Sequence, residues 1–277
     1  MGENALPHLR FSSVPLTGSC LFMRLIIMPD PHSATRFAAN EIASLMTAGS
    51  HPVLGLATGR TMEEVYRDLC MMHREEGLDF STTTSFNLDE YVGLSAADPR
   101  SYHDYMNSLL FSHVNIRPGA GHLPVGDASD LDAECLAYEN AIAASGGIDL
   151  QLLGIGDTGH IGFNEPPSPF DSRTRCVTLN EKTRIQNAGM FGGNPDNVPT
   201  RALTMGVGTI LEARHLMLLA LGKSKAAIIA KALEGAVGPE VSASAIRLHA
   251  QCTVILDGDS ASALSAKTRS QALYQEG

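Results

Sequence analysis

Cysteine is scarce in this sequence: Cys20, Cys70, Cys135, Cys176 and Cys252 stand far apart, with no Cys-x-x-Cys pair among them. An odd, scattered set of this kind supports neither a disulfide framework nor a zinc site, and a reducing cytoplasm is the simpler reading. No apolar run approaches the roughly 20 residues that a bilayer crossing requires. Long runs of lysine and arginine are missing as well. The 20 basic residues face 30 acidic ones, a formal net charge of −10. That balance argues against nucleic acid or an anionic membrane as a partner. If the ligand is an anion, a few well-placed cations must hold it against the overall field. Repeats, low-complexity blocks and a composition break marking a second domain are also absent.

Residues 1–22 contain Pro7, Pro15, Gly18, Ser12, Ser13 and Ser19 and no sustained apolar core. A secretory signal needs a basic start and then about 7–15 apolar residues, and neither is present. This stretch reads as a flexible extension, and the ordered domain is expected over 23–277. Within it, 24–28, 53–57, 84–88, 148–155, 216–221 and 252–256 are short apolar runs that read as strands. Between them, 33–48, 62–76, 101–111, 130–145 and 223–235 carry apolar residues at helical spacing. Residues 156–204 hold many Gly, Pro and Asn and only patchy periodicity. The alternation indicates a single α/β domain, Rossmann-like, with a mainly parallel sheet and helices on both faces.

Ligands of such sheets sit at the carboxyl ends of the strands. The chemically loaded segments fall there. Thr58-Gly59-Arg60-Thr61 joins a strand to a helix, where a glycine and free N–H groups suit a phosphate; the plain alternative is a turn with Thr61 as N-cap. Asp89-Glu90 closes the third strand, and at most one of the two carboxylates should face a site as a general base. Gly154-Ile-Gly-Asp-Thr-Gly159 matches G-x-G-x-x-G, but His160-Ile-Gly-Phe-Asn-Glu-Pro-Pro167 leaves no room for the helix a dinucleotide loop must open. What remains is a glycine-rich loop presenting His160 and Glu165 together. Lys223 and Lys225 stand at a helix start, where a cation is unfavourable unless an anion compensates it, although at least one should be solvated. Arg184 lies in the irregular region.

Phe86-Asn-Leu-Asp-Glu-Tyr-Val-Gly-Leu94 and Gly154-Ile-Gly-Asp-Thr-Gly-His-Ile-Gly-Phe-Asn-Glu-Pro166 resemble the signatures of the glucosamine-6-phosphate deaminase family. Leu54–Gly59, Ser172–Arg175, Ala202–Thr209 and Leu221-Gly222 with Lys225 follow in family order, so the resemblance covers about residues 23–257. It implies conversion of glucosamine 6-phosphate to fructose 6-phosphate and ammonia, without metal or organic cofactor. By the same resemblance Asp89 is the base that moves a proton between C2 and C1, His160 assists ring opening, and Glu165 orients His160. The phosphate would lie on Thr58, Gly59, Arg60 and Thr61 with Arg184 and Lys225. Two departures stand out. Thr158 occupies a position where the family has Asp or Asn, with Asp157 one place earlier, so the histidine's network should be altered and lean more on Glu165. Arg60 stands where a small residue is usual. The resemblance leaves open galactosamine 6-phosphate as substrate, a 6-phosphogluconolactonase-type hydrolase, a non-catalytic sugar-phosphate sensor, and a homo-oligomer. Residues 175–204, with their glycines and prolines, are expected to form a lid.

Overall fold

Each apolar run becomes a strand and each amphipathic stretch a helix. The computed structural model describes residues 22–48 and 51–274; the expected flexible extension, except for Phe22, lies outside the described residues. The first half contains β1 (Phe22–Met28), α1 (Pro31–Ala48), β2 (Val53–Leu56), α2 (Arg60–Met71), β3 (Thr84–Asn87), β4 (Asp89–Tyr91), α3 (Tyr102–Leu109), β5 (Gly121–His122) and α4 (Leu131–Ala144). The second half begins with β6 (Leu150–Leu153), β7 (Arg175–Thr178), α5 (Glu181–Asn187), β8 (Arg201–Thr204) and α6 (Val207–Leu211). It continues with β9 (His215–Ala220), α7 (Ala226–Glu234), β10 (Gln251–Asp257), α8 (Ala266–Ser270) and β11 (Leu273–Tyr274). Among the described residues no helix is long and apolar enough to cross a membrane.

Eight strands form a parallel sheet in the order β11-β1-β10-β9-β6-β2-β3-β5. Its central strands are buried along their length, as in β2 and β6, because helices cover both faces. The chain runs outward from β2 to β3 and β5, then returns to β6 on the other side of β2. Right-handed crossovers therefore put α1, α2 and α3 on one face and α4 and α7 on the other. The reversal falls between β2 and β6, and the crevice outside their carboxyl ends is where such sheets bind ligands.

A second sheet, antiparallel and in the order β4-β8-β7, is not visible in the sequence pattern. Its strands are three or four residues long, and Asp89-Glu90-Tyr91 has no apolar run to mark it. Leu88 joins the two sheets: its N–H donates to Leu56 O at 3.1 Å, and its carbonyl accepts from Met205 N at 2.7 Å. The stretch 156–204, irregular by sequence, therefore contains β7, α5 and β8. Both ends of the expected lid are strands of this sheet, which leaves 179–200 as the part outside it.

Leu152, in the middle of β6, is 0% exposed. Leu152→Ala should cost about 2–5 kcal/mol of stability through lost burial and a residual cavity, measured by urea unfolding; a loss well under about 1 kcal/mol would mean that this layer repacks freely.

Candidate active site

Asp89 and Glu90 lie side by side on β4, 6% and 0% exposed, yet their surroundings differ. Glu90 accepts from the N–H groups of Tyr91, Tyr102 and His103 at 2.8, 3.0 and 3.0 Å and contacts His103 Nδ1 at 3.0 Å. It is enclosed by the start of α3. Asp89 faces the loop after β6 instead: a methyl group at Gly162 would lie 3.4 Å from its Oδ2. Burial first, and the neighbouring Glu90 carboxylate second, push Asp89 up to about 8, with the Phe163 N–H partly offsetting them. One carboxylate of the pair faces the site, and its proton affinity suits acid–base chemistry near neutral pH.

The loop after β6 turns back on itself, with Gly156 N–H bonded to His160 O at 2.9 Å, and no helix follows. The imidazole rests on Gly156: a Cβ there would come within 2.0 Å of His160 Nε2, so only glycine allows this placement. His160 Nδ1 lies 2.9 Å from Glu165 Oε1 and 2.7 Å from the Thr158 hydroxyl, which itself donates to Glu165 Oε2 at 2.7 Å. Thr158 therefore takes part in the histidine's network rather than leaving a gap in it. Partial burial alone would raise the Glu165 pKa. The His160 ring, followed by the Thr183 and Thr158 hydroxyls, outweighs burial and holds the carboxyl at about 2. Glu165 is a fixed anion behind the ring.

Thr58–Thr61 is held by two tyrosines of the helices around it: Tyr66 donates to Ala57 O at 2.5 Å and Tyr105 to Gly59 O at 2.9 Å. Gly59, at φ 111°, is the residue before α2, and no side chain caps the helix. Thr61 thus lies in the first turn and is not the N-cap. Arg60 is exposed, and a cavity of about 440 Å³ opens beside it, lined by Pro31, His32, Thr35, Arg60, Thr61, Glu64 and Leu221. It adjoins the loop but does not reach Asp89 or His160. Lys223 is exposed; Lys225 is half-buried, and its Nζ pairs with Asp157 Oδ1 at 2.5 Å. Asp157 therefore serves the lysine and not the histidine. Arg184, on α5, points Nη1 at Pro195 O, 3.4 Å away. Among the described residues no group of three or more His, Cys, Asp or Glu is arranged to hold a metal ion.

Two further residues complete the site. Thr204, opposite Asp89 in β8, accepts from Phe163 N at 3.1 Å and steadies the loop between Asp89 and His160. Thr183, on α5, hydrogen-bonds Glu165 Oε1. Neither stands out in the sequence, because a single threonine in a strand or helix carries no chemical signature until the fold supplies its neighbour.

The family described as glucosamine-6-phosphate isomerases/6-phosphogluconolactonase matches residues 31–255. Glucosamine-6-phosphate deaminase 1 of Bacillus subtilis (strain 168) is 49% identical over 228 residues, covering 82% of this chain and 94% of that one. The glucosamine-6-phosphate deaminase of Mycolicibacterium smegmatis is 46% identical over 242 residues, covering 87% of this chain and 93% of its own. A solved structure of a monomeric glucosamine-6-phosphate deaminase superposes with a TM-score of 0.84 at 46% identity, covering 86% of this chain and 99% of that one. The 6-phosphogluconolactonase from Trypanosoma cruzi shares the fold, with a TM-score of 0.69 at 20% identity over 91% of this chain and 100% of its own.

Burial keeps Asp89 protonated in the folded protein at pH values where the unfolded chain has already lost that proton. Between about pH 4 and about pH 8 the folded state binds more protons, so this group lowers stability as pH rises. Asp89→Asn removes the dependence. By differential scanning calorimetry, its Tm relative to the wild type should rise from pH 4 to pH 8; a constant difference would show that Asp89 ionises normally in the fold.

Proposed function

Because the chain belongs to the glucosamine-6-phosphate isomerases/6-phosphogluconolactonase family, we propose that it converts glucosamine 6-phosphate to fructose 6-phosphate and ammonia. The observation that carries this reading is the pairing of Asp89, a buried carboxylate of raised proton affinity, with the oriented His160 at one sheet edge. His160 would take the proton of the C1 hydroxyl on its free ring nitrogen and pass it to the ring oxygen, opening the sugar. Asp89 would take the C2 proton and return it to C1, while a proton from the substrate's amino group passes to the C1 oxygen. The imine left at C2 is hydrolysed: water supplies the ketone oxygen and the nitrogen leaves as ammonia. A base whose pKa lies near the working pH is matched to a carbon acid of this kind.

The substrate phosphate would sit on the uncapped start of α2 at Thr58–Thr61, with Lys225 and Arg184 as cations. Lys225 would then divide its charge between the phosphate and Asp157. A lactonase needs no proton transfer between carbons, so Asp89 in its buried setting favours the deaminase over that relative. The scattered cysteines favour a cytoplasmic setting. Residues 179–200 would act as the lid, delivering Arg184 and excluding water.

Release of ammonia and fructose 6-phosphate, assayed with glucosamine and galactosamine 6-phosphates, tests the proposal. Asp89→Asn should lower kcat by about 10²–10⁴-fold with little change in KM, whereas Lys225→Ala and Arg184→Ala should mainly raise KM. Retention of more than about a tenth of the wild-type kcat in Asp89→Asn would remove Asp89 from the role. Amide hydrogen exchange across 179–200 should slow when the sugar phosphate binds, and equal exchange with and without it would count against a lid.

A further inference from the structure

Two threonine hydroxyls grip the Glu165 carboxylate from different parts of the chain. Thr158, in the loop after β6, donates to Oε2 at 2.7 Å, and Thr183, in α5, donates to Oε1. An ionised carboxylate only accepts, so both hydroxyl protons point at Glu165. With its proton committed there, Thr158 offers only lone pairs to His160 Nδ1 at 2.7 Å. Nδ1 must therefore carry the ring proton, shared between Thr158 and Glu165 Oε1 at 2.9 Å. In the neutral ring this leaves Nε2 as the unprotonated nitrogen, and Nε2 has no hydrogen-bond partner among the described residues.

Thr183 is placed with little freedom. It is 2% exposed, and its N–H bonds to Asn180 Oδ1 at 2.8 Å, the cap that begins α5. Farther along the same segment, the Phe191 ring packs edge-on against Tyr91 with centroids 5.2 Å apart. The stretch 179–200 therefore touches both halves of the site, through Phe191 on the strand of Asp89 and through Thr183 on the anion behind His160.

We infer that Thr183 is a positioning residue. Its hydroxyl ties α5 to Glu165 and fixes the rotation of the carboxylate, keeping Oε1 on His160 Nδ1 and Oε2 on the Thr158 hydroxyl, the arrangement that favours the Nδ1–H tautomer. The inference rests on the deaminase reading for the reaction it serves, but the tautomer itself does not depend on that reading. Packing alone would give Thr183 a different signature, because valine preserves its shape and serine preserves its hydroxyl.

The test uses the full chain with Thr183→Val and Thr183→Ser, with folding checked by circular dichroism; Thr183→Ala, which only removes atoms, replaces the valine variant if that does not fold. Thr183→Val should lower kcat by roughly 10- to 100-fold and change KM much less, whereas Thr183→Ser should stay within a few-fold of the wild type. In ¹⁵N spectra of the unliganded protein, the two ring nitrogens of His160 should be distinct in the wild type and in Thr183→Ser. In Thr183→Val they should move toward each other as the second tautomer appears. A wild-type kcat in Thr183→Val, equal losses in the valine and serine variants, or unchanged His160 nitrogens in Thr183→Val would each overturn the inference. If the wild type turns over no amino-sugar phosphate, the deaminase reading fails, and the nitrogen spectra alone decide the role of Thr183.

Discussion

Two carboxylates on consecutive buried residues cannot both remain charged in a protein interior without donors to satisfy them. Much of the architecture around the site follows from how this chain divides those donors. Glu90 receives the N–H groups at the start of α3 and the ring of His103, so the positive end of that helix is directed at it. Seating α3 on Glu90 also places Tyr105, which bonds the carbonyl of Gly59. The loop after β2 thus inherits its position from Glu90, which lies on a strand of the other sheet. Asp89 is left with few donors and, in consequence, with a high affinity for a proton. The asymmetry between neighbours separates a carboxylate tied into the start of α3 from one that faces the loop after β6.

In the large sheet the two-residue edge strands Gly121–His122 and Leu273–Tyr274 are too short to show. The other six of its eight strands were legible because they are buried and read as mostly apolar runs, as Val53–Leu56 and Leu150–Leu153 do. The small sheet was not. Arg175–Thr178 and Arg201–Thr204 mix charged, polar and apolar residues over four positions, too few for a period to declare itself. Within the site, Asp89, His160 and Glu165 were legible as unusual residue types at strand ends, and the glycines around His160 marked a loop rather than a helix. Thr158 was visible only as a departure from a pattern; its bonds to both His160 and Glu165 required coordinates. Asp157 was legible only as a displaced carboxylate that should not keep the family's geometry beside His160. One residue of offset in a tight loop turns its side chain away from His160 and toward Lys225.

The charge distribution carries the same lesson. The chain has a formal net charge of −10, and Lys225, the cation proposed for the phosphate, is paired with the exposed carboxylate of Asp157. An anionic ligand therefore gains little from the long-range field and depends on local donors: helix N–H groups, hydroxyls, and cations whose charge must be shared. Recognition of this kind is short-ranged, and it favours a ligand that fits the crevice over one that is merely negative.

The sheet order has a consequence for how the molecule is made. β1 lies between β10 and β11, with Phe22 opposite Gln251 and Ile26 opposite Leu273. Among the described residues the first strand is therefore without its neighbours until nearly the whole domain has been translated. β2 and β3 pair with each other early, but the apolar edge of β1 must wait, and long-range parallel pairing of this kind is slow. Until those C-terminal strands emerge, Leu25, Ile26 and Ile27 have no neighbouring strand to pair with and bury them.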